Sequence, residues 1–353
     1  MLRWSIDLSI PNKCDIIILD DDVSNLKFKS FSCKKILKDK INLFCFLKTI
    51  FFFWKNDQKI SLKKFYKKNL YRMYSPKVAI SHDKNGRGEE CKKLCPEIIV
   101  IIYQFSYFHE YYKKLRTIPK GSFDYFLTWN NSYKNYFKNY SREIIVAGSV
   151  RNNSVKVFKS PITHKVLLLS EYSKNSKDSK NFLYRMYLKY LKIVDNYCLK
   201  NNLKLLIALR SLRKDKNYNI LDEKNFYRKY FKCKIYFNDI LNSNSYQAAK
   251  SSNLIFSYHT TLGFELLSRK MKVFFMPFHE RRLKKTNYLS KKNNFHIHRN
   301  FNEKIIFKKI KLIYTMSRNK WLKKINKQEY LGKFDQDNTI LNRHLIKIIK
   351  KKL

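Results

Sequence analysis

The chain has 353 residues, which exceeds one typical domain and suits two domains of medium size. Lys and Arg total 75 against 27 Asp and Glu, so the formal net charge is +48. The basic residues run through every segment and no RNA-binding signature accompanies them, so we expect no dedicated nucleic-acid partner. A basic surface instead favours anionic partners, such as phosphate-bearing ligands and the inner face of a membrane.

Seven cysteines occur without regular spacing, and the N-terminus carries no secretory signal. Both features are typical of reduced thiols and predict a cytoplasmic protein. Cys91 and Cys95 lie on one face of a predicted helix. Since no second Cys pair or His pair is near them, we expect a buried helix face and no metal site.

The first predicted strand spans 15–20 and leads into Asp20, Asp21 and Asp22, which we interpret as solvated turn acids. Residues 41–54 form the most apolar stretch of the chain, but they are too few to span a membrane. We expect a core helix of the first domain there. A helix lying on the membrane surface beside the basic run 63–72 is the alternative.

From residue 77 onward, strands and helices alternate, which predicts parallel strands with crossover helices. The strands are expected at 77–82, 97–103, 124–129 and 143–148, and the helices at 86–95, 106–116 and 131–140. Gly148 is expected to form a tight turn at the end of the first domain, which spans 1–150. The polar segment 151–164 is the predicted linker.

The second domain, 165–335, repeats the alternation and is expected to be doubly wound, with ligands beyond the carboxyl ends of its strands. Strands are predicted at 165–170, 203–209, 233–237, 254–259 and 272–277, and helices at 179–201, 222–231, 244–251 and 261–269. A C-terminal helix within 336–353 could return to the first domain.

A predicted strand end meets a predicted helix start at Thr260, Thr261 and Gly263. Free backbone N–H groups, the positive end of the helix dipole and two hydroxyls would bind a phosphate there, and Gly263 would allow close approach. Glu265, one turn further, could accept hydrogen bonds from ribose hydroxyls. The alternative is that Thr260 is only a helix cap and Glu265 only a solvated acid.

Residues 252–275, SNLIFSYHTTLGFELLSRKMKVFF, resemble the C-terminal motif of bacterial surface-carbohydrate and lipopolysaccharide biosynthesis transferases. The similarity extends to LKLLIALRSLRKD (203–215) and DYFLTWNNSYKNYF with IIVAGSVRNN (124–153), and covers roughly 75–280. It implies an α/β protein with two Rossmann-like, doubly wound domains facing a cleft, which is the GT-B arrangement.

The resemblance implies a metal-independent glycosyltransferase that needs no cofactor and uses a nucleotide-sugar as substrate. It would move a sugar onto a glycan or lipid-linked acceptor of lipopolysaccharide, O-antigen or capsule. Arg210 and Arg213, in the Leu-Arg-Ser segment, would bind the donor phosphates together with Thr260, Thr261 and Gly263, and Glu265 would bind the ribose. Peripheral attachment to the inner face of the cytoplasmic membrane stays open.

The first domain should supply the catalytic base. His82 and Asp83 follow a predicted strand, and the unperturbed pKa of histidine suits proton transfer. Gln104 corresponds to the acceptor-side turn of the family. Ser170 and Glu171 follow strand 165–170, where we expect an ordinary turn.

Three other functions remain compatible with the sequence. They are a sugar-nucleotide epimerase or hydrolase, a polyglycerol-phosphate-type transferase on the same fold, and a non-enzymatic basic protein that binds nucleic acid or an anionic membrane. His259 and the turn at 104–106 depart from the family pattern, so an inactive member of the family also stays open.

Overall fold

The structure is a computed structural model. It describes residues 5–20, 28, 30–37, 40–55, 60–83, 86–106, 123–137, 139–158, 164–172, 182–210, 219–238, 245–278, 294–328 and 330–351. These residues form two units. The first contains the described residues of 5–106, 123–154 and 333–351, and the second those between 155 and 332.

The first unit is built on a six-stranded parallel sheet of order β3-β2-β5-β6-β7-β8, with a separate parallel pair of β1 and β4. The strands are β1 (Ser5–Asp7), β2 (Ile16–Ile18), β3 (Cys33–Lys35), β4 (Lys40–Asn42), β5 (Val78–His82), β6 (Ile99–Tyr103), β7 (Phe123–Thr128) and β8 (Ser141–Val146). Strand β2 consists of three buried isoleucines, the continuous apolar run that a parallel strand covered on both faces requires.

Helices of the first unit connect and cover these strands. They span Leu43–Lys55, Leu62–Tyr74, Arg87–Leu94, Asn131–Phe137, Val150–Ser154 and Thr339–Lys350. The last of them places Leu341 and Leu345 in the same buried cluster as Ile16 and Val78. The core of the first unit is therefore completed by the C-terminal segment.

The chain leaves the sheet of the first unit through Gly148 and the helix Val150–Ser154, so the predicted linker begins inside a helix of this unit. Gly148 has a φ of +81°, and a Cβ there would lie 2.1 Å from the carbonyl oxygen of Lys333. Glycine is therefore required for two reasons, the left-handed backbone and the close approach of the C-terminal segment.

The second unit has a five-stranded parallel sheet of order β11-β10-β9-β12-β13. Its strands are β9 (His164–Leu169), β10 (Leu205–Ala208), β11 (Ile235–Asn238), β12 (Ser252–Ser257) and β13 (Val273–Phe275). Its helices are Phe182–Lys200, Ile220–Tyr230, Ser245–Lys250, Thr261–Ser268, Glu303–Thr315 and Arg318–Ile325. Asparagine and serine side chains at 219, 302 and 317 cap three of the helices.

The predicted strands of both units are confirmed, with ends shifted by about two residues. Strands β1, β3 and β4 were not predicted, because they are three-residue edge segments with mixed polarity. The predicted helix 106–116 lies, apart from residue 106, outside the described residues.

The expectation of a core helix at 41–54 is wrong. A helix does form, at Leu43–Lys55, but its only buried side chains are Cys45 and Thr49. The apolar side chains Phe44, Leu47, Phe51, Phe52 and Trp54 are all exposed. Apolar composition predicted the helix but not which of its faces would find a partner. None of the helices in the described ranges is long and apolar enough to span a membrane.

Candidate functional site

The second unit has a topological switch point at β9. The chain first moves outward from β9 to β10 and β11, then returns to the other side of β9 as β12. Ligands of doubly wound sheets bind outside the carboxyl ends of the strands at such a point. The residues that follow these strands, Ser170–Tyr172, Leu209–Arg210 and Tyr258–Thr261, form what we call the switch-point site.

The turn after β12 is closed by Thr260, which caps the helix Thr261–Ser268. Its hydroxyl accepts a hydrogen bond from the backbone N–H of Gly263 (2.8 Å) and lies 3.3 Å from the hydroxyl of Ser257. Thr260 and Thr261 are both partly exposed. The predicted strand-to-helix corner therefore forms, and the cap that the alternative interpretation proposed for Thr260 is present.

Gly263 lies in this first turn for a reason that the sequence did not reveal. A Cβ there would lie 2.5 Å from the hydroxyl of Ser257 and 2.9 Å from Cε1 of Phe275. Its missing side chain thus lets the helix pack closely on β12 and β13. Close approach of a ligand to Gly263 stays a prediction.

Glu171 links the two strands that flank the switch point. Its carboxylate, just after β9, accepts a hydrogen bond from the backbone N–H of His259, just after β12. Burial raises the pKa of Glu171 above its ordinary value of 4.5, and the nearby His259 and Arg210 act in the opposite direction. Glu171 nevertheless remains partly exposed at the surface of the site. The expectation of an ordinary turn here missed this residue.

Arg210 is held at the site by a buried polar network. Its backbone N–H donates to Glu223 (2.9 Å), a fully buried carboxylate that also accepts from the hydroxyl of Ser170. Tyr227 donates to the same Ser170 hydroxyl (2.6 Å). The Arg210 side chain is exposed and donates to the carbonyl oxygen of Tyr172 (3.3 Å). A fixed backbone with an exposed guanidinium suits an anionic ligand. Arg213 lies outside the described residues.

Glu265 is fully buried, and its carboxylate accepts a hydrogen bond from the hydroxyl of Tyr246 (2.7 Å). The alternative of a solvated first-turn acid is therefore wrong. A ribose contact would need the carboxylate to become accessible, and it stays a prediction. The sequence pointed to the acidic position but not to its tyrosine partner.

The first unit has its own switch point, between β2 and the neighbouring β5. His82 ends β5, and its Nε2 lies 3.8 Å from Oδ1 of Asp20, the residue that closely follows β2. That distance is too long for a hydrogen bond but allows an ion pair when the imidazole is protonated. Asp20 is 1% exposed, so its interpretation as a solvated turn acid is wrong. Asp21 and Asp22 lie outside the described residues.

Asp83 and Gln104 have structural partners next to this point. Oδ1 of Asp83 accepts from the backbone N–H of Phe105 (3.1 Å). The buried Gln104 side-chain amide donates to the carbonyl of Ser106 (3.0 Å). Its oxygen accepts from the hydroxyl of Thr128 (2.9 Å) and from the backbone N–H of Trp129 (3.1 Å). Gln104 thus ties the ends of β6 and β7 together, and its contact with an acceptor stays a prediction.

No group of three or more His, Cys, Asp and Glu side chains with a metal-binding arrangement occurs in the part of the chain that the structure describes. Cys91 and Cys95 are both buried, and burial raises the pKa of the Cys95 thiol to about 11.

Two doubly wound units of parallel strands define a Rossmann-like protein of the GT-B-like class, as the sequence predicted. Residues 104–352 match the model of a family described as "putative O-antigen biosynthesis protein", and the chain belongs to that family. The predicted resemblance to surface-carbohydrate biosynthesis proteins is thereby confirmed. No curated protein matches the chain significantly in sequence.

Three solved structures illustrate the fold likeness. A "putative UDP-N-acetylglucosamine 2-epimerase" from Listeria monocytogenes is 10% identical, with 97% of this chain and 98% of that chain covered and a TM-score of 0.59. The UDP-GlcNAc 2-epimerase from Neisseria meningitidis bound to UDP-GlcNAc is 11% identical (94% and 99% covered, TM-score 0.54). The wall teichoic acid polymerase TagF is 10% identical (96% and 89%, 0.53). At these identities the likeness concerns the fold alone.

Proposed function

We propose that the chain is a glycosyltransferase that moves a sugar from a nucleotide-sugar donor onto a surface-glycan acceptor, such as lipopolysaccharide, O-antigen or capsule. The donor would bind at the switch-point site of the second unit. The observation that carries this proposal is the convergence of Arg210, Glu171 and the Thr260 corner at the carboxyl ends of three adjacent strands.

The chemistry of this site suits a diphosphate. The N-terminus of the helix Thr261–Ser268, which follows β12, carries the positive end of a helix dipole. The exposed Arg210 guanidinium follows β10, on the other side of β9 in the sheet order. These groups oppose the negative charge that develops on a departing nucleotide.

The family and the named relatives support the donor class. The family concerns O-antigen biosynthesis, and one structure of the same fold holds UDP-GlcNAc. We therefore propose a nucleotide-linked sugar as the donor, used on the cytoplasmic side. We also propose that the reaction needs no metal, because the helix N-terminus and Arg210 would supply the positive charge.

His82 is the proposed base for the acceptor hydroxyl, with Asp20 and Asp83 beside it. It ends β5 at the switch point of the first unit, where its ring is 3.8 Å from the Asp20 carboxylate. An imidazole is suited to take a proton near neutral pH. The proposal predicts that His82→Gln lowers turnover more than it weakens donor binding.

An acceptor-dependent assay tests the proposal. The purified chain is incubated with UDP-, GDP-, CMP- and CDP-linked donors, with and without a glycolipid extract, and free nucleotide is measured. We expect release from one donor class only when acceptor is present, without inhibition by EDTA. Arg210→Gln should lower the rate about 10- to 100-fold, since a charged hydrogen bond contributes about 1.5–3 kcal/mol. The exposed Arg318→Gln serves as the matched control.

Other outcomes of this assay would identify the alternatives. Conversion of the sugar or release of nucleotide without acceptor would indicate an epimerase or a hydrolase. Use of CDP-glycerol would indicate a polyglycerol-phosphate-type transferase. Absence of any reaction with every donor and acceptor fraction would contradict transferase activity and favour an inactive member of the family.

A further inference from the structure

The helix Leu43–Lys55 is apolar on its exposed face as well as on its packed face. The packed face holds the buried Cys45 and Thr49 beside the partly buried Phe46 and Phe53, whose rings contact the helix Leu62–Tyr74. The exposed face carries five large apolar side chains that are 40–86% exposed, Phe44, Leu47, Phe51, Phe52 and Trp54. Phe44, Leu47, Phe51 and Trp54 recur at spacings of three and four, and Phe52 follows Phe51 directly, so the five side chains form one broad exposed stripe. We call this set the apolar stripe.

Lysines accompany the stripe. Lys48 and Lys55 lie over the rings of Phe52 (6.0 Å) and Phe51 (5.2 Å). Positive charge therefore lies directly against the exposed rings of the apolar stripe. No acidic side chain occurs in this helix or in the neighbouring helix Leu62–Tyr74.

The neighbouring helix adds further positive charge at the tryptophan end of the stripe. Phe53 and Phe65 pack with ring centroids 5.8 Å apart, which places the end of one helix beside the start of the next. Lys63 and Lys64, in that start, are both exposed.

We propose that the apolar stripe and its lysines dock the protein onto an anionic phospholipid surface. Exposed aromatic side chains would enter the boundary between headgroups and acyl chains, and the lysines would be attracted to the anionic headgroups. A second copy of the chain fits this surface less well, because it would bring the same lysines of both copies together. The proposal is independent of the transferase function.

Vesicle co-sedimentation tests it with the full chain. Vesicles of phosphatidylglycerol and phosphatidylethanolamine are compared with vesicles of phosphatidylcholine, at low salt and at about 0.5 M salt, where bare charge attraction is screened. We expect binding to the anionic vesicles that persists in part at high salt.

Phe51→Ser/Trp54→Ser should weaken the high-salt binding about tenfold or more, because the variant lacks two apolar side chains that would be buried in the lipid. Phe158→Ser, which alters a 73% exposed phenylalanine of the second unit, should leave it unchanged.

Charge and fluorescence provide two further readouts. Lys63→Glu/Lys64→Glu should weaken low-salt binding more than the matched pair Lys304→Glu/Lys308→Glu does. The lysines of that pair are exposed on a helix of the second unit.

Trp54 is 86% exposed, whereas Trp129 and Trp321 are each 1% exposed. Anionic vesicles should therefore shift the tryptophan fluorescence emission to the blue. The test is made in a Trp4→Phe background, because Trp4 lies outside the described residues. There, Trp54→Phe should abolish the shift and keep the binding.

Three results would overturn the proposal. One is equal binding by Phe51→Ser/Trp54→Ser and Phe158→Ser at both salt concentrations. Another is an unchanged Trp54 emission on vesicles that bind the protein. The third is a self-association in the absence of lipid that Phe51→Ser/Trp54→Ser abolishes without affecting vesicle binding, which would assign the stripe to a second copy of the chain.

Discussion

At the scale of single residues, Glu171 connects two of the turns that form the switch-point site of the second unit. It follows β9, contacts the turn after β12 through the N–H of His259, and is held by a backbone hydrogen bond to the hydroxyl of Tyr187 (3.0 Å). A carboxyl that bridges the two strands at a switch point fixes the geometry of the turn that we propose as the phosphate site. It also makes that turn sensitive to pH.

Glu171→Gln tests this sensitivity. Burial raises the pKa of Glu171 above 4.5, so the folded state holds its proton to a higher pH than the unfolded state does. The stability that Glu171 contributes is therefore lost as pH rises from about 4.5 through the raised pKa. Glutamine cannot ionise, and its carbonyl can still accept from His259. We expect the melting temperature of Glu171→Gln, relative to wild type, to increase with pH above 4.5. A difference that is constant with pH would contradict the assignment.

At the scale of elements, the positions of the strands in the chain were predictable, but the order of the strands within each sheet was not. Buried parallel strands such as Ile16–Ile18 are continuous apolar runs, which a sequence displays directly. Strand order is not displayed, so the burial of Asp20 beside His82 and the contact of Glu171 with His259 were missed. The Thr260 corner was predicted because cap, glycine and strand end are adjacent in the chain.

The composition of a helix also does not show which of its faces is buried. Residues 41–54 were assigned to the core because they are apolar, yet the structure leaves five of their large apolar side chains exposed. Gly148 is a similar case: the sequence predicted a turn, but not that Lys333 would return from the C-terminus to within 2.1 Å of the missing Cβ. Contacts between residues so distant in the chain depend on the whole fold.

Gly148→Ala tests the attachment of the C-terminal segment to the first unit. Alanine at this φ costs about 1–2 kcal/mol for the backbone alone, and its Cβ would in addition collide with the carbonyl of Lys333. Gly86→Ala is the matched control, because Gly86 has a φ of +66° and no atom within 4 Å of its added Cβ. We expect Gly148→Ala to lower the free energy of unfolding clearly more than Gly86→Ala does. Equal losses in denaturant titrations would contradict the close packing.

At the scale of the whole molecule, each unit presents its functional candidates at its own switch point. In the first unit these are Asp20, His82 and Asp83, and in the second Glu171, Arg210 and the Thr260 corner. The formal charge of +48 favours anionic ligands in general, so charge alone cannot identify the donor. The central claim is that the second unit recognises a nucleotide-linked sugar in particular.

The most direct test is thermal stabilisation of the purified protein by UDP-, GDP-, CMP- and CDP-linked sugars and by the free nucleotides, in moderate salt. We predict a selective shift with one nucleotide class. Thr261→Val should weaken that binding about 5- to 10-fold through the loss of a hydrogen bond. Thr315→Val should not, because its helix end contacts Asn253 at the amino end of β12, away from the site. A shift that is equal for all nucleotides, or unchanged in Thr261→Val, would contradict the claim.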